Sequence, residues 1–305
     1  MTLGVLLMAY GTPRRTEEVA AYYTHMRGGR PPSPERLAEL QRRYAAIGGQ
    51  SPLFQITQAQ AAGLQAALDG RRPGRFQVAT GMKHAAPFIE EAVPALLAQG
   101  VSAVVGLVLA PHYSALSVGQ YHQRAAAAVD RATPGLPYLP VRSWHLAPAF
   151  LDVLATRVGD TLAQLPAPER EEALVVFSAH SLPTRTRAMG DPYPDQVAET
   201  GAAVAARVGL ARWTTAWQSA STTGEPWLGP DLLEVIGAAR EQGRPAVVSC
   251  PCGFTADHLE ILYDIDIQAQ AAARRLGVRL LRTPSPNADP DFCGALADVV
   301  EQAAA

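Results

Sequence analysis

Two short stretches of the sequence carry the residue types that acid–base and metal chemistry require. His180 closely follows the apolar run 173–177, and imidazole both ligates metals and moves protons near neutral pH. Glu260 lies 80 residues further on and precedes Asp264 by four residues, so a helix would place both carboxylates on one face. Because open α/β sheets place their chemistry at the carboxyl ends of strands, we predict that His180 and Glu260 face each other across one cleft.

Each of these residues also has an ordinary structural interpretation. A histidine just past a buried strand is often a satisfied structural group, and helical carboxylates usually form a solvated face. The apolar neighbours of Glu260 favour an inward carboxylate, so that Glu260, Asp264 and Gln268 would line a path from a buried site to solvent. Gln268 cannot ionise, which weakens the outer end of any such proton relay.

The elements that must position these residues alternate between strand and helix, which predicts an α/β fold with parallel sheets. About four strands fall in each half of the chain, so we predict two Rossmann-like domains, 1–145 and 146–305, each a roughly four-stranded parallel sheet flanked by helices. A helix over 255–275 would carry Glu260, and a C-terminal helix over 290–303 would pack back on the first domain. The predicted strands are 3–8, 76–81, 103–109, 138–142, 173–177, 212–217, 246–250 and 278–281.

Composition and missing motifs exclude several classes of protein. A net charge of −2 over 305 residues argues against a nucleic-acid partner, because phosphate binding needs a basic face. No apolar run reaches the length of a membrane span, and the apolar segment 1–8 lacks the basic leader of a signal peptide. No glycine-rich phosphate loop follows any strand, which argues against a nucleotide enzyme. We therefore expect a soluble cytoplasmic protein.

The cysteines suggest a metal site only weakly. Cys250 and Cys252 have ligand-like spacing but follow an apolar strand, where cysteine is a small buried hydrophobe. Cys293 lies on a predicted helix. Three cysteines cannot form a disulfide framework, and an iron–sulfur cluster needs four ligands. We expect neither a cluster nor an organic cofactor.

Aromatic and basic residues of the early loops predict a binding surface for a flat anionic molecule. Tyr10, Arg27, Arg30, Arg43 and Tyr44 could stack on a planar ring and hold carboxylates through guanidinium groups, although each could equally be a surface arginine or a packing aromatic.

Other histidines lie near the predicted strand ends. His112 and Tyr113 follow the third strand, and we expect them to line the same crevice; His84 is a weaker candidate. The sequence assigns the following histidines to structural or exposed positions: His25, His122 and His145.

Taken together, these stretches resemble the ferrochelatase family, whose members insert ferrous iron into a porphyrin, and within it the small bacterial branch that acts on coproporphyrin III. The matching segments occur in order over nearly the whole chain. They are 8–13, 22–27, 43–53, 109–114, 178–183, 190–196, 227–231 and 253–260.

The resemblance implies a porphyrin in the cleft between two Rossmann-like domains. It implies that His180 and Glu260 are the catalytic pair and metal ligands, that Tyr10 is the axial partner of the product iron, and that Asp264 is an outer metal-binding or relay position. The family's cysteine-bearing C-terminal extension is missing here, and Gln268 departs from the carboxylate often found at its position. Residues that match positions holding the macrocycle and its propionates are Tyr10, Arg27, Arg43, Tyr44, Ser51 and Tyr121.

The sequence leaves alternatives open for the identity of the substrate and for the activity of the protein. Coproporphyrin carries four propionates and protoporphyrin two, so the polar and basic segment from Thr24 to Pro34 favours coproporphyrin III. The alternatives are a protoporphyrin IX ferrochelatase, a chelatase that puts cobalt or nickel into a corrin precursor, and a porphyrin or haem carrier without turnover. The expected partners are the porphyrin and Fe²⁺, with no nucleic acid and no integral membrane association, and we expect a monomer.

Overall fold

The computed structural model describes residues 1–221 and 224–305, and within them eight strands form two separate parallel sheets. The strand order is β2-β1-β3-β4 in the first sheet and β6-β5-β7-β8 in the second, which confirms the predicted α/β class. The strands are β1 (Leu3–Ala9), β2 (Phe76–Met82), β3 (Val104–Val108), β4 (Tyr138–Val141), β5 (Leu174–His180), β6 (Trp213–Gln218), β7 (Ala246–Cys250) and β8 (Arg279–Arg282).

Helices connect the strands and cover both faces of each sheet. A 3₁₀ turn (Thr16–Glu18) precedes the first helix, and a π-helix (Glu260–Ala269) precedes the eleventh. The α-helices are α1 (Val19–Met26), α2 (Pro34–Ala46), α3 (Leu53–Arg71), α4 (Ile89–Leu97), α5 (Val118–Ala132), α6 (Pro148–Ala163), α7 (Ala167–Glu172), α8 (Arg185–Ala188), α9 (Tyr193–Val208), α10 (Leu232–Glu241), α11 (Gln270–Leu276) and α12 (Pro290–Ala303).

The strand sequences explain why the sheets are parallel and internal. Parallel sheets are covered on both faces, so their strands read as continuous apolar runs, and every residue of β1 is buried. In each sheet the order in which successive strands are added reverses beside the first strand, between β1 and β3 and between β5 and β7. Such reversals open a crevice at the carboxyl ends of the strands, which is where ligands bind in open α/β sheets.

The last helix packs against helices that lie beside both sheets. Helix α12 packs against α3 and α6, and the Arg71 guanidinium donates hydrogen bonds to Asp298 at 2.6 Å and Glu301 at 3.1 Å. Phe292 lies near Trp144 and Phe150 in a shared aromatic cluster, with ring centroids 6.1 and 6.2 Å away. The proposed domain boundary at residue 145 stays a prediction.

The helix predicted over 255–275 differs from the observed one in its start and its type. Regular helix begins at Glu260, and its first ten residues form a π-helix before α11 continues to Leu276. A π-helix bonds residue i to i+5, and apolar periodicity in the sequence does not distinguish that wider turn from an α-helix. The short helices α7 and α8 were also not predicted. Among the described residues, no helix is both long and apolar enough to cross a membrane.

Candidate active site

The structure brings His180 and Glu260 into direct contact. His180 is the last residue of β5, and Glu260 is the first residue of the π-helix that follows β7, the neighbouring strand. The His180 Nδ1 atom lies 3.0 Å from Glu260 Oε2, and each side chain is about one-third exposed, at 36% and 33%. Because Glu260 occupies Nδ1, the Nε2 atom of His180 is the nitrogen left for a substrate.

The two groups of this pair shift each other's pKa in opposite directions. Burial disfavours the imidazolium of His180, but the charge and hydrogen bond of Glu260 outweigh it and raise the His180 pKa above its ordinary value of 6.5. Burial likewise disfavours the Glu260 carboxylate, yet His180 and the nearby His258 lower its pKa below the ordinary range. His180 is therefore a stronger base than a free histidine.

A glycine allows the loop after β7 to reach this position. The Gly253 amide donates a hydrogen bond to the Ser178 carbonyl of β5 at 3.0 Å. A Cβ atom on Gly253 would lie 2.5 Å from the Cβ of Ala179, so any larger residue would push the loop away from the strand. The close approach brings the segment that leads to Glu260 against the end of β5.

Asp264 continues the polar line behind Glu260. Its side chain is 9% exposed, accepts a short hydrogen bond from the Ser219 hydroxyl, and pairs with the Arg43 guanidinium at 3.3 Å. Burial and the Glu260 charge raise the pKa of Asp264 to about 6, against the opposing effects of Ser219 and Arg43. Gln268, the next position along the predicted line, is exposed. The line thus runs from the partly buried Glu260 to solvent.

Ser219 is a member of this network that sequence reasoning missed. It follows β6 with a φ of +60°, in the left-handed region that non-glycine residues rarely adopt. Serine is common in loops, so no sequence pattern marked it; its backbone conformation and its bond to Asp264 are visible only in the structure.

Tyr10 stands at the matching position of the first sheet, directly after β1. Its side chain is 40% exposed, and its ring packs against the imidazole of His84 with centroids 4.6 Å apart. Burial is the main cause that raises the pKa of Tyr10, and the negative charge of Glu260 raises it further. Burial and the Lys83 charge lower the pKa of His84 to about 3, so this imidazole is neutral at physiological pH.

The predicted substrate-binding residues divide into accessible and buried groups. Arg27 and Arg43 are both partly exposed, although Arg43 already pairs with Asp264. The buried members of the predicted set are Tyr44, Ser51 and Tyr121. The Tyr44 hydroxyl is hydrogen-bonded to the Thr12 hydroxyl at 3.2 Å, and the Ser51 hydroxyl accepts a hydrogen bond from the Leu53 amide at 3.3 Å. The Tyr121 ring lies 5.0 Å from the Lys83 ammonium.

The expectation that His112 lines the crevice with Tyr113 is wrong for His112. That side chain is 2% exposed, and its Nε2 atom contacts the Thr200 hydroxyl of α9 at 2.9 Å. Burial lowers the pKa of His112 to about 3, as expected of a neutral histidine packed against α9. Tyr113 instead borders a separate cavity of about 390 Å³ with Arg142 and Asp191.

All three cysteines are buried thiols. Cys250 ends β7, Cys252 follows it, and Cys293 lies on α12, where its sulfur packs against Gly63 of α3. Burial raises the pKa of Cys250 to about 12, so the thiol remains protonated.

Comparison with solved structures shows which fold the chain shares. A sirohydrochlorin chelatase, SirB from Bacillus subtilis subspecies spizizenii in complex with cobalt, superposes with a TM-score of 0.63 at 12% sequence identity. The match covers 100% of this chain and 96% of that one. The likeness shows the two-sheet fold of the chelatases.

Sequence comparison then gives the family. The chain is 44% identical to the ferrochelatase of Herpetosiphon aurantiacus, over 97% of both chains. It is 46% identical to the coproporphyrin III ferrochelatase of Anoxybacillus flavithermus and 44% identical to that of Bacillus subtilis, over 98% of this chain and at least 95% of each relative. The ferrochelatase family model matches residues 2–304, and the chain belongs to that family.

Proposed function

We propose that this protein is a lyase of haem biosynthesis that inserts ferrous iron into coproporphyrin III to give iron-coproporphyrin. The observation that carries the proposal is the contact of His180 with Glu260 at 3.0 Å, in the crevice where β5 and β7 end. The relatives that share 42–46% identity and bear the name coproporphyrin III ferrochelatase support the choice of substrate.

Metallation of a porphyrin requires that two pyrrole protons leave as one Fe²⁺ enters. The bond to Glu260 favours the His180 tautomer with its proton on Nδ1, which leaves the Nε2 lone pair free to accept a pyrrole proton. The resulting imidazolium is stabilised by the Glu260 carboxylate, the same interaction that raises the His180 pKa. In its neutral form, His180 would use the same Nε2 lone pair, together with the Glu260 carboxylate, to bind the entering iron as the iron sheds its water.

Protons taken up at this pair need a way out. Asp264, with a pKa near 6, can accept and release protons at neutral pH more readily than an ordinary aspartate. Its contact with Ser219 fixes the carboxylate behind Glu260. We assign Asp264 to an outer relay between the catalytic pair and solvent.

The first sheet's loops would bind the macrocycle. Tyr10 would approach the metal axially, and the cleft would strain the flat ring toward the puckered geometry that exposes its nitrogens. The segment from Thr24 to Pro34 exposes Arg27 and Arg30 rather than an apolar lip, which suits a porphyrin with four propionates. For the whole predicted set of residues to contact the porphyrin, Tyr44, Ser51 and Tyr121 would have to become accessible to it.

Further features of the proposal concern the state of the protein. Fe²⁺ is a substrate here, and we propose that no organic cofactor or iron–sulfur cluster takes part. We also propose that the protein acts as a monomer in the cytoplasm, with the porphyrin and Fe²⁺ as its small-molecule partners.

The test is anaerobic Fe²⁺ insertion followed by absorbance, with coproporphyrin III and protoporphyrin IX offered separately. The proposal expects turnover of coproporphyrin III with the higher kcat/KM. Preference for protoporphyrin IX would keep the chelatase and overturn the substrate assignment. Tight binding of either ring without metallation would instead identify a carrier.

A further inference from the structure

A pair of facing imidazole nitrogens lies beside the first sheet, one on α1 and one in the loop after β2, away from the His180–Glu260 contact. The Nδ1 atoms of His25 and His84 are 3.0 Å apart. Two protonated nitrogens would repel each other at this distance, so at least one of them presents a lone pair. With metal–nitrogen bonds of about 2.0–2.1 Å, two imidazole ligands of a tetrahedral or octahedral ion stand about 2.9–3.4 Å apart.

Neighbouring aromatic rings hold both imidazoles in place. The His84 ring packs on Tyr10 at 4.6 Å, the His25 ring packs on Phe88 at 5.1 Å, and the two imidazoles meet edge to face at 5.2 Å. The His84 amide also donates a hydrogen bond to the Tyr10 carbonyl at 2.9 Å, which fixes its backbone beside the end of β1. His25, at the end of α1, is exposed, so an ion can reach the pair from solvent.

We propose that His25 and His84 form a binding site for a first-row divalent transition metal ion, separate from the His180–Glu260 pair. A small rotation of the exposed His25 ring would turn both Nδ1 atoms toward one ion, and the proton that they share would move to the Nε2 atom of its own ring, so that each Nδ1 presents a lone pair. Water would complete the coordination. An ion held here lies beside Tyr10, the residue that we place next to the porphyrin metal.

The charges around the pair determine which ions it takes. The Lys83 ammonium lies 6.0 Å from the Tyr10 ring, although it is bonded to Gln120 at 2.7 Å, and its charge opposes any cation. The Arg124 charge is balanced by Glu90 at 2.7 Å. Only ions with a strong preference for imidazole would overcome the remaining repulsion, so Zn²⁺ and Cu²⁺ should bind and Mg²⁺ should not.

Equilibrium dialysis of the full chain with Zn²⁺ tests the site, using wild type, His25→Asn, His84→Asn and a His180→Ala/Glu260→Gln double variant. The proposal expects the double variant to retain one Zn²⁺, and either Asn substitution in that background to weaken it at least about tenfold. Because the double variant lacks the catalytic pair, the result does not depend on whether the proposed function is correct.

Electron paramagnetic resonance of bound Cu²⁺ supplies the second readout. The proposal expects nitrogen hyperfine splitting from two imidazoles in the double variant and from one after His25→Asn. Unchanged Zn²⁺ binding or an unchanged spectrum after His25→Asn would overturn the proposal. His25 is exposed, so this variant decides the question even if His84→Asn fails to fold.

Discussion

The two sheets share one strand order, yet their carboxyl ends present different side chains. The turn after β1 offers Tyr10 and the segments beside it carry basic side chains, while the end of β5 offers a histidine and the π-helix after β7 offers the carboxylates of Glu260 and Asp264. In both sheets a glycine closes the loop: a Cβ on Gly11 would lie 2.9 Å from the Ala85 amide nitrogen, and one on Gly253 would lie 2.5 Å from Ala179. From this difference we propose that one architecture supports two tasks. We assign ring binding to the first sheet and proton and metal handling to the second.

The largest effect should come from the centre of the second sheet. His180→Ala removes the base, so kcat for Fe²⁺ insertion should fall by at least about 10³-fold, within the range that general bases contribute. Porphyrin affinity, measured by fluorescence quenching, should change less than about threefold because the first sheet's loops remain. Normal turnover in this variant would remove His180 from the mechanism.

Glu260→Gln should be next in size and should also change the pH dependence. Only neutral His180 accepts a proton, so wild-type kcat/KM should rise with pH through the His180 pKa, which lies above 6.5. Without the Glu260 carboxylate, burial of the imidazole is opposed only by the Asp264 charge, so this apparent pKa should shift downward while kcat falls about 10²-fold. A pH profile that stays in place would show that Glu260 does not set the basicity of His180.

Asp264→Asn should have a smaller effect, because Asp264 would act behind the catalytic pair. We expect kcat to fall about three- to tenfold, below the full value of a direct general base. Any inflection near pH 6 from this group should disappear. Asp266→Asn is the matched control, since Asp266 lies on the same π-helix but pairs with Arg282 at 2.7 Å. Equal losses in both variants would point to damage to the helix rather than to a relay.

The smallest effect should come from the basic segment of the first sheet. Arg27→Gln should raise KM for coproporphyrin III about two- to fivefold, as expected for a partly exposed ion pair worth up to about 1 kcal/mol. KM for protoporphyrin IX should change less, and kcat should change little for either. Arg42→Gln makes the same charge change at an exposed position bonded to Glu39. If it has the same effect as Arg27→Gln, the segment has no specific role in recognition.

Sequence reasoning succeeded where apolar runs and strand ends carried the information. The buried strands were clear because parallel sheets require continuous apolar sequence, and the pairing of His180 with Glu260 followed from placing both beyond strand ends. It failed for His112, which also follows a strand but turns toward Thr200 of α9. Strand ends indicate a position and not the direction of a side chain.

Other parts of the site depend on contacts that no local pattern encodes. The π-helix has the apolar spacing of an α-helix, and Ser219 reaches Asp264 only because of its left-handed backbone. The pairing of Arg43 with Asp264 joins residues 221 positions apart. Such contacts depend on how the two halves of the chain pack together.

Stopped-flow fluorescence and absorbance with coproporphyrin III and Fe²⁺ test the division between the sheets most directly, because binding and metallation appear as separate phases. Wild type, His180→Ala and Arg27→Gln are compared side by side. The account predicts that His180→Ala keeps the binding phase and loses metallation, and that Arg27→Gln weakens binding and metallates at the wild-type rate once saturated. Loss of the same phase in both variants would contradict the assignment of separate tasks to the two sheets.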